Sequence, residues 1–182
     1  MSTISLLDII FPSRCAVCDR AGKNLCPECK KLVGIEPREL EISGLRIYTA
    51  TKYSAETSKL LVALKDKGQS ALVKELAEML SPVIENIPTS ESTRYLVPAP
   101  SRPENFSKRG FHPMLLLAKA LVTQHPSFTV LNCLNFARLV KDQVGLTELE
   151  RIENLASSMK LNQKAEGKLC YILDDVVTSG AT

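Results

Sequence analysis

Four cysteines crowd one stretch near the start of the chain, CAVCDRAGKNLCPEC, and two aspartates stand side by side near its end, in YILDDVVTSGAT. Cys15 and Cys18 form one C-x2-C knuckle, and Cys26 and Cys29 form a second. A two-residue spacing lets both thiolates of a tight turn reach one ion. Two such knuckles supply the four-sulfur tetrahedron that Zn2+ prefers. Gly22 and Asn24 allow the intervening loop to turn back, and Pro27 stiffens the second knuckle. The alternatives are a redox dithiol pair or unrelated cysteines. A four-thiolate site leaves no open position for water, so the zinc reads as structural rather than catalytic. A segment of about 20 residues builds no core of its own and is expected to fold around its metal. Cys133 and Cys170 lie in apolar contexts and read as core residues.

At the other end, Leu169 to Leu173 read as a buried strand of a parallel sheet, and such sheets place ligands at the carboxyl ends of their strands. Asp174 and Asp175 stand there. Adjacent carboxylates suit ribose hydroxyls or a metal-bound diphosphate. Thr178, Ser179, Gly180, Ala181 and Thr182 then offer three hydroxyls and main-chain amides on small residues, which a phosphate can approach closely. The plainer alternative is a pair of aspartates capping a strand before an ordinary turn.

The elements that must carry these groups follow from the pattern between them. EPRELEISGLRIYTATKY predicts extended chain turning at Gly44. Leu60, Leu61 and Leu64 share a helical face, and KDKG ends that helix with lysines near its C-terminus and Gly68 as the stop. Ser70 is expected to open a second helix carrying Leu72, Val73, Leu76, Leu80 and Ile84, with Pro82 kinking or ending it near Ser81. Tyr95, Leu96 and Val97 predict a short buried strand stopped by prolines. PAPSRPENFSKRGFHP reads as a long loop with Arg102, Lys108 and Arg109, a length that is usually functional or mobile. Within it His112, beside Gly110, is a candidate phosphate contact, whereas His125 reads as a surface residue. A helix is expected from Met114 to Gln124, and FTVLNCLNFAR as a strand or a strand and turn. Thr147 and Glu150 have capping-box spacing at the start of another short helix, which leaves Glu150 either a cap or a site residue. No nucleophile elbow is visible.

The composition narrows the class. A chain of 182 residues with 45% apolar and 24% charged residues is one modest soluble domain, or one domain with a small appendage. A net charge of +3, no tryptophan and 5% aromatics argue against strong autonomous nucleic-acid binding. The start, MSTISLLDIIF, lacks a basic region and a cleavage site. No apolar run reaches the roughly 18 residues that span a bilayer. The expectation is a cytoplasmic protein without membrane insertion, whose cysteines stay reduced.

The terminal pattern resembles the phosphoribosyl-pyrophosphate loop of type I phosphoribosyltransferases. The order of the double knuckle, KYSAETSKLLVALKDKG, YLVPAP, KRGF with its leucine-rich helix, QVGLTELERIEN and the DD loop resembles the ComF family. Those are phosphoribosyltransferase-like proteins associated with bacterial competence and DNA uptake. The resemblance covers the chain from about Leu6. It implies an α/β fold, a type I phosphoribosyltransferase-like parallel sheet flanked by helices, with a small N-terminal zinc ribbon or knuckle. Residues 1–36 would be the knuckle and 37–182 the phosphoribosyltransferase-like domain. That domain is expected to be C-terminally incomplete, because relatives continue with a helix and at least one strand.

By the same resemblance, Asp174 and Asp175 would contact the ribose diol or a magnesium-bound substrate, as the catalytic pair. Thr178, Ser179, Gly180, Ala181 and Thr182 would hold the 5′-phosphate. Pro98, Ala99 and Pro100 would form the pyrophosphate loop, with Arg109, Gly110 and Phe111 in the adjoining flexible loop. Gln143, Gly145, Glu150, Arg151 and Asn154 match a family signature. Where relatives carry basic or polar residues, this chain has Glu104, Asn105, Ser107, His112 and Glu148, which removes contacts to anions. As an enzyme, the chain would displace pyrophosphate at the ribose C1′ with Mg2+ neutralising the leaving group. The alternatives are a zinc-dependent module that binds single-stranded DNA or the competence helicase machinery, and an inactive truncated fragment.

Overall fold

The computed structural model describes residues 13–88, 93–139, 145, 147–162 and 165–177. It is a mixed α/β fold with a small parallel sheet, helices, and the cysteine cluster near its N-terminus. Helix α1 (Pro27–Val33) starts directly on the second knuckle. Pro27 suits its first turn, where a missing amide hydrogen removes no helical bond. Strands β1 (Arg38–Ile42) and β2 (Leu45–Thr49) form an antiparallel hairpin. Its two-residue turn places both Ser43 (φ 54°) and Gly44 (φ 76°) in the left-handed region, the twist that matches paired strands.

Helix α2 (Ala55–Lys65) begins where the Ser54 hydroxyl accepts the Thr57 amide at 3.2 Å. Its buried side includes Leu60, Ala63 and Leu64. Helix α3 (Leu72–Glu85) follows. Two expectations change here. Ser70 makes no side-chain cap; the main-chain carbonyls of Gln69 and Ser70 accept the Leu72 and Val73 amides instead. Nor does Pro82 end the helix, which continues to Glu85. Burial of Leu76, Ala77, Met79, Val83 and Ile84 outweighs the ~3 kcal/mol that an internal proline costs. The Ser81 hydroxyl, one residue earlier, lies 3.1 Å from the Ala77 carbonyl, 2.9 Å from Gln124 Oε1 and 2.9 Å from His125 Nε2. His125 is therefore half-buried against α3 rather than a free surface residue.

Strand β3 (Arg94–Pro98) is the centre of the parallel sheet, between β4 (Phe128–Val130) and β7 (Cys170–Leu173). Residues 98–113, expected to be a loop, contain helix α4 (Pro103–Arg109) before helix α5 (Pro113–Gln124). Local signals make α4: Pro103 opens it, and Gly110 closes it at φ 75° while its amide bonds to the Phe106 carbonyl. Strands β5 (Leu134–Phe136) and β6 (Met159–Leu161) pair antiparallel around helix α6 (Glu148–Leu155). At the start of α6 the Thr147 amide donates to Glu150 Oε2 (2.7 Å), and the Glu150 amide donates to Thr147 Oγ1 (3.3 Å). The expected capping box is present.

The strands alternate between two apolar clusters. Leu96, Tyr171 and Leu173 face the larger one, with Leu60, Leu64, Leu117 and Leu121. Val97 and Cys170 face a smaller one with Leu131 and Cys133. As expected, Cys133 is a core residue, and Cys170 packs against it half-buried. Strand β7 departs from the fully buried strand expected of a parallel sheet. It lies at the edge, so Leu173 is buried while Ile172 is 59% exposed. Among the described residues, no helix is long and apolar enough to cross a membrane.

Candidate functional site

The Sγ atoms of Cys15, Cys18, Cys26 and Cys29 all lie within 4.8 Å of one another. Around a tetrahedral ion with Zn–S bonds of about 2.3 Å, the sulfurs would stand about 3.8 Å apart. Cys18 and Cys26 Sγ are 3.8 Å apart. The Cys26 amide points at Cys15 Sγ from 3.5 Å, as a donor that steadies a thiolate. Burial works against ionising Cys15, but hydrogen bonds from the Cys26, Cys18 and Val17 amides outweigh it and bring its pKa down to about 6. Burial and the neighbouring sulfurs push the Cys29 thiol far up. A cation at the centre resolves that opposition, because it stabilises all four thiolates together. The four cysteines can hold a structural metal ion such as zinc.

The knuckle is part of the main core. Cys15, Leu25, Cys26, Cys29 and Val33 belong to the same buried cluster as Leu60 and Leu64 of α2. Lys30 pairs with Glu78 of α3 at 2.8 Å, and Gln69 Nε2 donates to the Arg14 carbonyl at 3.1 Å.

The acidic pair stands at the carboxyl end of β7, next to the end of β3. The Ala99 amide donates to the Leu173 carbonyl at 2.9 Å, which joins the Pro98–Ala99–Pro100 segment at the end of β3 to the residue before Asp174. With that amide engaged and no amide hydrogen on either proline, this segment contributes shape rather than main-chain donors. The carboxyl group of Asp174 accepts the Asp175 amide at 2.9 Å. Burial, then the hydrogen bond and charge of Asp175, push the Asp174 carboxyl up to about 7. Burial also opposes charge on Asp175, but the Lys65 ammonium, 2.5 Å from Oδ2, outweighs it and holds that carboxyl below its ordinary value.

Lys65 was visible in the sequence only as one of the lysines ending a helix. It is the last residue of α2, and its role comes from tertiary placement. The next residue, Asp66, accepts from Arg109 at 3.3 Å. The end of α2 thus touches both the acidic pair and the end of α4. Beyond it, Gly110 takes its left-handed turn, Phe111 packs against the main cluster, and the His112 ring stacks on Phe106 at 4.5 Å.

The remaining site expectations lie elsewhere. Thr178, Ser179, Gly180, Ala181, Thr182 and Gln143 fall outside the described residues. Glu150 serves the capping box, and Asn154 lies on the same helix, where Arg138 binds its carbonyl at 2.9 Å.

A second surface feature adjoins the knuckle. A groove of about 350 Å3 runs between the first cysteine turn and α2, lined by Arg14, Val17, Lys59, Val62, Lys67 and Gln69 among others. Tyr53 is 64% exposed, and its hydroxyl donates to Ser58 of the groove at 3.1 Å.

No protein-family model matches the chain. It is distantly similar to the DNA utilization protein YhgH of Escherichia coli K12, with 25% identity over 186 residues, covering 92% of this chain and 79% of YhgH. The same identity and coverage relate it to YhgH of Escherichia coli O157:H7 and of Shigella flexneri.

Two outcomes follow from these geometries. Purified protein should carry one zinc per chain by elemental analysis. Cys26→Ser, or chelation, should remove it and lower Tm by roughly 10 °C, since the site shares the main core. Asp174 binds its proton more tightly folded than unfolded, so its contribution to stability falls as pH rises from about 4 to about 7. Asp174→Asn should therefore stabilise the fold by roughly 2 kcal/mol at pH 8, with the gain fading towards pH 5. Urea denaturation across that range measures it, and an equal gain at every pH would refute the assignment.

Proposed function

We propose that this chain is a ComF-like, phosphoribosyltransferase-like protein that binds a phosphorylated ribose at the carboxyl ends of β3 and β7, in the service of DNA use. The observation that carries the reading is the adjacency of two parallel strand ends. One bears Asp174 and Asp175, and the other runs into the rigid Pro98–Ala99–Pro100 segment, joined by the Ala99–Leu173 hydrogen bond. Ligands of α/β sheets bind at that edge. In this reading the acidic pair takes the ribose hydroxyls, and Thr178 to Thr182 take the 5′-phosphate on hydroxyls and amides. Arg109, held by Asp66 at the end of α2, supplies a further cation in this reading. The knuckle is a structural zinc unit spanning residues 1–36 against a domain of residues 37–182. DNA use comes from the name of the distant relatives, and the family's link to competence supports the same direction.

A second reading belongs to the groove beside the knuckle. Lys59 and Lys67 offer cations along it, where Arg14 is paired with Asp19. Val17 and Val62 offer apolar surface, and Tyr53 an exposed ring beside it. Cations with an aromatic face suit single-stranded DNA.

Calorimetric titration separates the two. Phosphoribosyl pyrophosphate should bind the wild type, and Asp175→Asn should weaken it about tenfold or more. Single-stranded DNA bound through the groove should weaken steeply with salt and on Lys59→Glu with Lys67→Glu, yet be indifferent to Asp175→Asn. Absence of sugar-phosphate binding in the wild type would refute the first reading.

A further inference from the structure

We propose that Lys65 is the resident cation of the acidic pair: it positions Asp175 for a ribose diol and closes the pair to divalent metal ions. The inference rests on the sugar-phosphate reading of this strand edge, and it decides between two ligands that adjacent carboxylates could take.

The geometry favours the diol. Lys65 Nζ lies 2.5 Å from Asp175 Oδ2, and the Asp175 side chain is only 13% exposed. The ammonium is set there by the fold rather than drifting in from solvent. Lys65 is the final residue of α2, whose Leu60 and Leu64, five residues and one residue before it, are fully buried. The negative end of the helix favours a cation at this position. The following residue is tied to Arg109, which restrains the helix end from the other side.

A magnesium ion demands near-ideal octahedral oxygen ligands at about 2.0–2.1 Å and gives up water reluctantly. At this site one carboxylate oxygen already holds an ammonium, and the neighbouring carboxyl is engaged by the Asp175 amide. A metal ion would have to displace Lys65 from a largely buried partner or sit against its positive charge. The residues present therefore do not fit Mg2+ at the pair. A vicinal diol meets no such conflict. Its hydroxyls are neutral and need only hydrogen-bond acceptors, and Lys65 leaves the pair less negative overall.

Lys65 is in this sense a positioning residue that also sets specificity. Its charge replaces the external cation, and its placement orients the carboxylate that receives the sugar. The consequence is sugar recognition that does not depend on metal.

The full-length protein, Lys65→Met and Lys65→Arg are compared by thermal shift with Mg2+ alone, and by calorimetry with ribose 5-phosphate in the presence of Mg2+ or of EDTA. The wild type should show no saturable response to millimolar Mg2+, and its affinity for ribose 5-phosphate should be the same in both buffers. Lys65→Met should gain a saturable Mg2+ stabilisation and bind ribose 5-phosphate about tenfold more weakly in EDTA. Lys65→Arg should restore both wild-type behaviours, which a general loss of folding would not do. A saturable Mg2+ response in the wild type that Asp175→Asn abolishes would overturn the assignment of Lys65. So would a Lys65→Met protein with unchanged response to Mg2+. Failure of ribose 5-phosphate to bind the wild type, with the Mg2+ responses as expected, would overturn the sugar-phosphate reading instead.

Discussion

Four thiols brought within 4.8 Å of one another, three of them buried, form an arrangement that can hold a cation. One of them is readily ionised and another strongly resists ionisation, so the cluster without a cation is electrostatically divided. A bound cation would let the cysteine turns close on it, and those turns contribute Leu25 and Val33 to the main core. Helix α2 is packed against that corner and ends at the acidic pair. The front of the chain and its candidate ligand site are thereby parts of one packing problem.

The chemistry-bearing residues were more legible than their surroundings. Doubled C-x2-C spacing has few meanings, and its four sulfurs do converge. Thr147 and Glu150 announced a capping box because both partners of that motif are local. An apolar run before Asp174 announced a strand, and the parallel pairing with β3 follows the expected logic. Legibility failed where tertiary packing overrode a local rule. Pro82 is a helix breaker in isolation, yet α3 runs through it because its apolar face lies against α5. Residues 103–109 were hidden inside a proline-rich stretch. There Pro103 and Gly110 act as helix start and stop, but proline and glycine spell loop equally well. The second contact of Lys65 was hidden for a different reason. A lysine at a helix end satisfies the local dipole, and nothing in the sequence shows that a carboxylate 110 positions later will meet it.

The acidic pair also illustrates how identical side chains acquire different properties. Asp174 and Asp175 are adjacent, both removed from solvent, and both penalised for carrying charge. The ammonium pairs directly with Asp175 and acts on Asp174 only as a weaker opposing charge, so one carboxyl is held ionised and its neighbour is pushed towards neutrality. Near neutral pH the two together offer an acceptor and a group able to donate. Such a mixture suits hydroxyls, which both give and receive hydrogen bonds.

Helix α2 has a mechanical consequence. Its eleven residues span about 16 Å, with Ser54 capping one end and Lys65 at the other. A rigid rod of that length tilted by about 4° at its capped end moves its far end by about 1 Å, a small rotation by the standards of helix packing. The same 1 Å separates a short ammonium–carboxylate contact from a loose one. The first cysteine turn, which meets α2 beside Ser58, Lys59 and Val62, thus steadies a lever that ends at Lys65. How firmly it is seated sets the tolerance to which the carboxylate at the opposite end can be aimed.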